Sequence, residues 1–208
     1  RLDQFRCLRF MDINTGHAFQ YMVHRFNTWC FWIATEVLNR QTVQERAAII
    51  EFFIDVCAEC NRMHNFNSAY AIIGALNQPS VSRLKFSWER VSKRAMKTYN
   101  KVLAFWSTSN NMGSYRAELK KVKPPAVPYL GLIGKDFFQL ETGAPTILSL
   151  KTDEEWILNF FKLRTLAQQL RFISQLQRSE PPEWEASFDI ATCISAVTPL
   201  GEAEAYER

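Results

Sequence analysis

Glycine and proline are both scarce in this chain, with 7 and 8 among 208 residues. Scarcity of both excludes a loop-rich all-β domain and long disordered tracts, which draw on them heavily. Long apolar runs are also missing: no stretch reaches the roughly 18 residues that a membrane span needs. There is no G-x-x-x-x-G-K-[ST] loop, no G-x-G-x-x-G turn and no G-x-S-x-G elbow. The chain therefore does not read as a nucleotide hydrolase, a dehydrogenase or a serine hydrolase. The five cysteines are an odd number in a chain too large to need staples, which points to reduced thiols and a cytoplasmic setting. Cys57 and Cys60 form a C-x-x-C pair, but zinc needs four ligands and His64 alone does not complete the set. Both cysteines fall mid-helix, away from the helix start where a redox pair gains its low pKa, so they read as core packing. No metal and no cofactor is expected. No signal-peptide pattern is visible and the first residue is Arg1, so the expectation is a fragment of a longer cytoplasmic protein.

Apolar residues make up 47% of the chain, charged residues 22%, and phenylalanine is abundant at 16. A chain of this length buries roughly 70% of its unfolded surface, enough for one self-sufficient core. The patterning is helical almost throughout. Phe19, Val23, Phe26, Cys30, Ile33 and Val37 keep 3–4 spacing and predict a helix over 18–38. Trp29 and Trp32 lie at helical spacing and read as core, not as a stacking platform. Thr42 and Glu45 form a T-x-x-E capping box, in which each side chain satisfies an orphan N–H. The helix it opens runs to about Met63.

Asn67 or Ser68 caps an almost wholly apolar, hence central, helix over 68–77, where Gly74 is expected to allow close packing. Further helices are predicted over 92–107, 114–122, 129–140 and 153–178. The last is marked by Asp153, Glu154 and Glu155 at its positive end. The expected fold is all-α: a single helical domain with a protruding helical hairpin, residues 18–208, preceded by an N-terminal remnant at 1–17.

The net charge of +4 is uneven. Arg83 to Lys123 carries eleven Lys/Arg against Glu89 and Glu118, a local +9 that leaves −5 elsewhere. Such a block reads either as a solvated helical face or as a surface for anionic lipid, an acidic protein or nucleic acid. No aromatic interleaving of an RNA-reading type accompanies it, so no nucleic acid is expected.

Several strings carry a more specific message: Phe26-Asn27-x4-Trp32-Ile33-Ala34-Thr35-Glu36, Glu45-Arg46 and Asn65-Phe66-Asn67-Ser68. Pro124-Pro125-x-x-Pro128-Tyr129-Leu130-Gly131 and Asn159-Phe160-x-Lys162-x-Arg164 follow in order. Together, over about residues 18–180, the chain resembles the catalytic domain of Ras-family guanine nucleotide exchange factors (RasGEF, Son of sevenless-like). The resemblance implies an exchange catalyst with no covalent chemistry. Its partner would be a Ras-family small GTPase (Ras, Rap, Ral or similar), with peripheral recruitment to the inner membrane surface. A hairpin over about 129–176 would wedge the nucleotide site open.

By position, the resemblance puts Val23, Tyr70, Met112 and Tyr129 around a pocket for an aromatic side chain of the GTPase. His24 and Asn27 lie beside it at the GTPase face. Asn77 would brace the hairpin base near Tyr129, Asp136 would make a polar contact, and Phe138 would point at the GTPase's magnesium site. The family string Glu-Glu-Gly reads Glu141-Thr142-Gly143 here. Thr142 therefore stands where the family has a carboxylate, with Glu141 next to it as a substitute. The alternative reading is a catalytically silent RasGEF-like scaffold that binds a small GTPase or adaptor without exchange.

Overall fold

The computed structural model describes residues 17–149, 156–176, 187–189, 192, 196 and 198–207. The expected opening stretch 1–16 and residues 153–155, 177 and 178 lie outside them. The fold is all-α with one small two-stranded sheet, as the periodicity implies. Helix α1 spans His17–Leu38, α2 Val43–Arg62 and α3 Phe66–Leu76. Short helices α4 (Pro79–Ser82) and α5 (Lys85–Arg90) lead into α6 (Lys93–Phe105) and α7 (Ser109–Leu119). The chain then enters α8 (Leu130–Gly143), strands β1 (Ile147–Ser149) and β2 (Trp156–Leu158), and α9 (Phe160–Leu176). A final helix, α10 (Glu202–Glu207), returns towards α1 and α4.

The core forms where α1 and α2 close over α3. Ala69, Ile72, Ile73, Ala75 and Leu76 of α3 are buried against Ile33, Ala34 and Val37 of α1 and Ile50, Phe53 and Ile54 of α2. Burying aliphatic and aromatic groups of this size contributes about 1.5–3 kcal/mol each. The capping box at α2 is complete: the Glu45 N–H donates to Thr42 Oγ1 at 3.2 Å and the Thr42 N–H to Glu45 Oε2 at 3.0 Å. Trp32 packs edge-on against Trp29 and Phe53, with ring centroids 5.8 Å apart in both pairs. Cys30 and Cys57 are buried and donate their S–H groups to the Ala71 and Ala69 carbonyls at 3.2 Å each. Burial lifts both thiols to about 12, so they behave as small apolar core residues.

Three expectations change. Asn65 caps α3 in place of Asn67 or Ser68, its Oδ1 accepting the Ser68 N–H at 3.2 Å. A Cβ on Gly74 would sit 3.9 Å from Cys30 Sγ, an ordinary contact, so packing does not demand glycine there. The tight positions are both on α8: a Cβ on Gly131 would run into the Tyr129 ring, and one on Gly134 would meet Phe19 Cζ at 2.9 Å. The long helix over 153–178 is also shorter than its apolar spacing suggests. Trp156–Leu158 is extended and pairs antiparallel with Ile147–Ser149, with Leu148 opposite Ile157. Asn159 then caps α9, its Oδ1 accepting the Lys162 N–H at 3.1 Å while its Nδ2 donates to the Pro145 carbonyl at 3.0 Å. Aromatic and β-branched residues at 156 and 157 favour the strand, and an asparagine cap favours the later start.

Candidate functional site

The site is assembled around α8, whose sequence alone does not fix where it points. Its base is stitched to the start of α3. The Phe66 N–H donates to the Val127 carbonyl and the Val127 N–H to the His64 carbonyl, both at 2.9 Å. Asn67 Oδ1 accepts the Leu130 N–H at 3.3 Å, and the Tyr115 hydroxyl accepts the Tyr129 N–H at 2.8 Å. These two acceptors satisfy N–H groups at the α8 start that have no partner within the helix.

The asparagine bracing the hairpin base is therefore Asn67. Asn77 sits instead at the C-terminal cap of α3, donating to the Ile73 carbonyl at 2.9 Å and accepting the Tyr99 hydroxyl at 2.8 Å. Sequence position placed it near Tyr129; its hydrogen bonds tie it to α6.

An aromatic cluster lies beside this base. Tyr70 and Tyr129 are in contact with ring centroids 4.1 Å apart, and Trp106 stands 4.9 Å from both Tyr70 and Tyr115. Met112 is buried in the same core. Two of the four expected pocket residues, Tyr70 and Tyr129, are thus in direct contact, and Met112 is buried in the core they pack against. The fourth, Val23, is exposed on α1 and lines a separate open depression of about 340 Å³ with Phe19, His24 and Asn27. The α1 residue that touches the tyrosines is Phe26, with centroids 5.7 Å from Tyr129 and 6.3 Å from Tyr70. Phe26 was visible in the sequence only as part of the apolar stripe, which cannot separate core from pocket wall. Burial pushes the Tyr115 and Tyr129 phenols up to about 12, so both rings stay neutral donors or acceptors.

Val23, His24 and Asn27 form an exposed strip on α1; positions 23 and 27 are one turn apart and share a face. On α8, Phe137 is buried at 2% exposure while Phe138 stands 55% exposed. Ile147, Ile157, Phe160 and Phe161 are also exposed, giving the far end of the hairpin an apolar skin. The strand register sends Ile147 and Ile157 to opposite faces of the ribbon, so this apolar exposure is spread around the hairpin end.

The polar candidates are held more tightly than the sequence suggested. Asp136 receives both Arg116 Nη groups, at 2.6 and 2.7 Å. Glu141 pairs with Lys162 Nζ at 2.9 Å. Lys162 is only 2% exposed and also donates to the Glu141 and Ala144 carbonyls at 3.1 and 2.9 Å, closing the C-terminal end of α8. Thr142 is exposed and donates to the Phe138 carbonyl at 2.9 Å. The neighbour expected to replace the absent carboxylate is therefore already committed to a buried cation. Lys162 enters the sequence reading only as part of a family string and Arg116 only as one more charge of the basic block, so neither pairing is visible there.

Among the described residues no group of three or more His, Cys, Asp or Glu side chains converges as a metal site, and no helix is long and apolar enough to cross a membrane. The RasGEF domain matches residues 3–164. This chain belongs to the RasGEF family. It is 35% identical over 175 residues to Ras guanine nucleotide exchange factor D of Dictyostelium discoideum, covering 84% of this chain and 25% of that protein. It is 37% identical over 153 residues to a Rap guanine nucleotide exchange factor of Caenorhabditis elegans, covering 73% of this chain and 10% of the relative. The Ras-specific guanine nucleotide-releasing factor 2 of Mus musculus is 33% identical over 154 residues, covering 74% of this chain and 12% of that protein. The RasGEF chain thus spans a quarter or less of these relatives' lengths.

Proposed function

We propose that this RasGEF domain releases guanine nucleotide from a Ras-family small GTPase of the Ras, Rap or Ral class, so that GTP can load. The observation that carries the reading is the pairing of an aromatic cluster with a neighbouring projecting helix. Tyr70 and Tyr129 meet at 4.1 Å next to the base of a helix that holds Phe138 out at 55% exposure. A buried aromatic and methionine cluster suits the anchoring of one apolar side chain of the partner. Phe138 is apolar bulk, which excludes a cation without offering it an oxygen ligand. Catalysis here is differential binding: the domain favours the open, nucleotide-free GTPase and so lowers the release barrier. A thousandfold acceleration requires about 4 kcal/mol. The test is a panel of Ras-, Rap-, Ral- and Rheb-type GTPases carrying fluorescent GDP. The domain with excess GTP is expected to speed release from at least one member, and intrinsic rates throughout would refute the reading.

One observation favours the second reading, a silent scaffold that binds without exchange. The end of α8 offers no uncommitted carboxylate, since Glu141 is paired with Lys162 and position 142 is threonine. The same panel separates the two, because a scaffold forms a complex and leaves the release rate unchanged.

Recruitment to an anionic membrane surface is the finer proposal for the setting. It is supported by α5 and α6, on which Lys85, Arg90, Lys93, Lys97 and Lys101 are exposed, as is Phe86 at 75%. Cationic side chains together with a protruding aromatic ring suit an acidic lipid interface.

A further inference from the structure

We propose that Arg116 is a positioning residue that couples the turn carrying Met112 to the α8 wedge, an inference that rests on the exchange reading above. The opening of α7 is not helical. Asn110, Asn111 and Met112 all have positive φ, at 52°, 54° and 61°. L-residues pay about 1–2 kcal/mol each for this conformation, and only asparagine adopts it readily. Met112 has no such excuse, so its surroundings must hold the turn that buries its side chain in the core. Arg116 supplies part of that hold, its Nε donating to the Asn111 carbonyl at 2.8 Å.

The two other arms of the same guanidinium grip Asp136 of α8, at 2.6 and 2.7 Å. The paired, planar geometry fixes direction as well as distance. At about 100° per residue, positions 136 and 138 point some 200° apart around a helix. Anchoring Asp136 to α7 therefore turns Phe138 outward. Burial of Leu132 and Phe137 sets the rotation of α8 through apolar packing, and the fork adds a directional hold to it. Next to the fork, α7, α8 and α9 diverge around a cavity of about 430 Å³ lined by Leu119, Leu132, Phe137, Phe172 and Ile173. One side chain thus ties the turn that places Met112 to the helix that places Phe138. Sequence position made Asp136 a contact for the GTPase; both its oxygens are instead engaged within the chain.

The test compares wild type with Arg116→Lys, Asp136→Asn and the double variant. It measures release kinetics with a responsive GTPase and backbone hydrogen exchange of the domain alone. Lysine keeps the charge but loses the fork, and asparagine loses one strong acceptor. Each single variant is expected to lower kcat about tenfold with KM within about twofold, because misaimed groups slow the step more than they weaken docking. The double variant is expected to be no worse than either single one, since both break the same unit. In Arg116→Lys, hydrogen exchange should rise together in residues 108–113 and 134–140. A rise in KM for Asp136→Asn with Arg116→Lys silent would make Asp136 a direct GTPase contact and overturn the proposal. Multiplicative losses in the double variant, or faster hydrogen exchange in one segment only, would overturn it as well. If wild type releases nucleotide from no GTPase, the exchange reading falls, and hydrogen exchange alone decides whether the coupling exists.

Discussion

Two adjacent phenylalanines on α8 meet different surroundings, their side chains about 100° apart around the helix. Phe137 is buried and Phe138 projects. Phe137→Ala is expected to cost about 3–5 kcal/mol of stability, the usual loss for emptying a buried aromatic site. Phe138→Ala is expected to leave the melting temperature within a few degrees and to reduce exchange more than binding. Thermal melts alongside release and pull-down assays check this. Equal losses of exchange and binding would remove the proposed role of Phe138 at the GTPase's magnesium site. Thr142→Glu adds a carboxylate where none is uncommitted. It is expected to raise the release rate, and an unchanged or slower rate would mean that this GTPase uses another contact. Four buried groups also set a pH limit. Cys30 and Cys57 rise from 9.0 to about 12, and Tyr115 and Tyr129 from 10.0 to about 12, because burial penalises the charged form. The fold therefore favours their neutral forms. Their contribution to stability is complete below about pH 9 and is lost as the pH climbs towards 12. The melting temperature should fall between pH 9 and 11, beginning with the thiols; a flat profile would contradict the burial.

At the scale of elements, α8 is fixed at three points by groups from elsewhere in the chain. Asn67 and Tyr115 hold its start, Arg116 its middle and Lys162 its end. The helices themselves were largely legible in the sequence. The 3–4 spacing in α1, the Thr42–Glu45 box and the apolar run of α3 are local signals, and the structure follows them. The small sheet was not legible. β1 and β2 are three residues each, too short for alternation to stand out, and Trp156 fits the helical stripe equally well. The site was partly legible through resemblance, which named Tyr70 and Tyr129, two side chains that meet in the structure. It misplaced Asn77, and it treated Asp136 and Glu141 as available. The reason is physical: whether a charged side chain is free depends on partners 20 or 21 positions away in sequence, Arg116 and Lys162. No helical periodicity encodes such pairs.

At the scale of the molecule, charge is segregated. Lys93, Lys97 and Lys101 recur every four residues on α6, a like-charged stripe that weakens an isolated helix slightly. Arg94 pairs with Asp55 at 2.8 Å, while the lysines of the stripe stay exposed to solvent. Vesicles containing an anionic phospholipid should therefore bind the domain at low salt and release it as salt rises. Phe86→Ala should weaken that binding, and a Lys93→Glu, Lys97→Glu pair should abolish it. Equal binding to neutral vesicles would rule out the cationic face as the cause.

The central claim is that this domain catalyses exchange by stabilising an empty GTPase. The most direct measurement is fluorescent-GDP release from the responsive GTPase, with unlabelled GDP or GTP in excess in parallel. A catalyst that stabilises the nucleotide-free state accelerates release equally with either nucleotide. It should also form a complex with the empty GTPase that added nucleotide dissolves. A stable complex with unaltered release would contradict exchange and leave a binding scaffold.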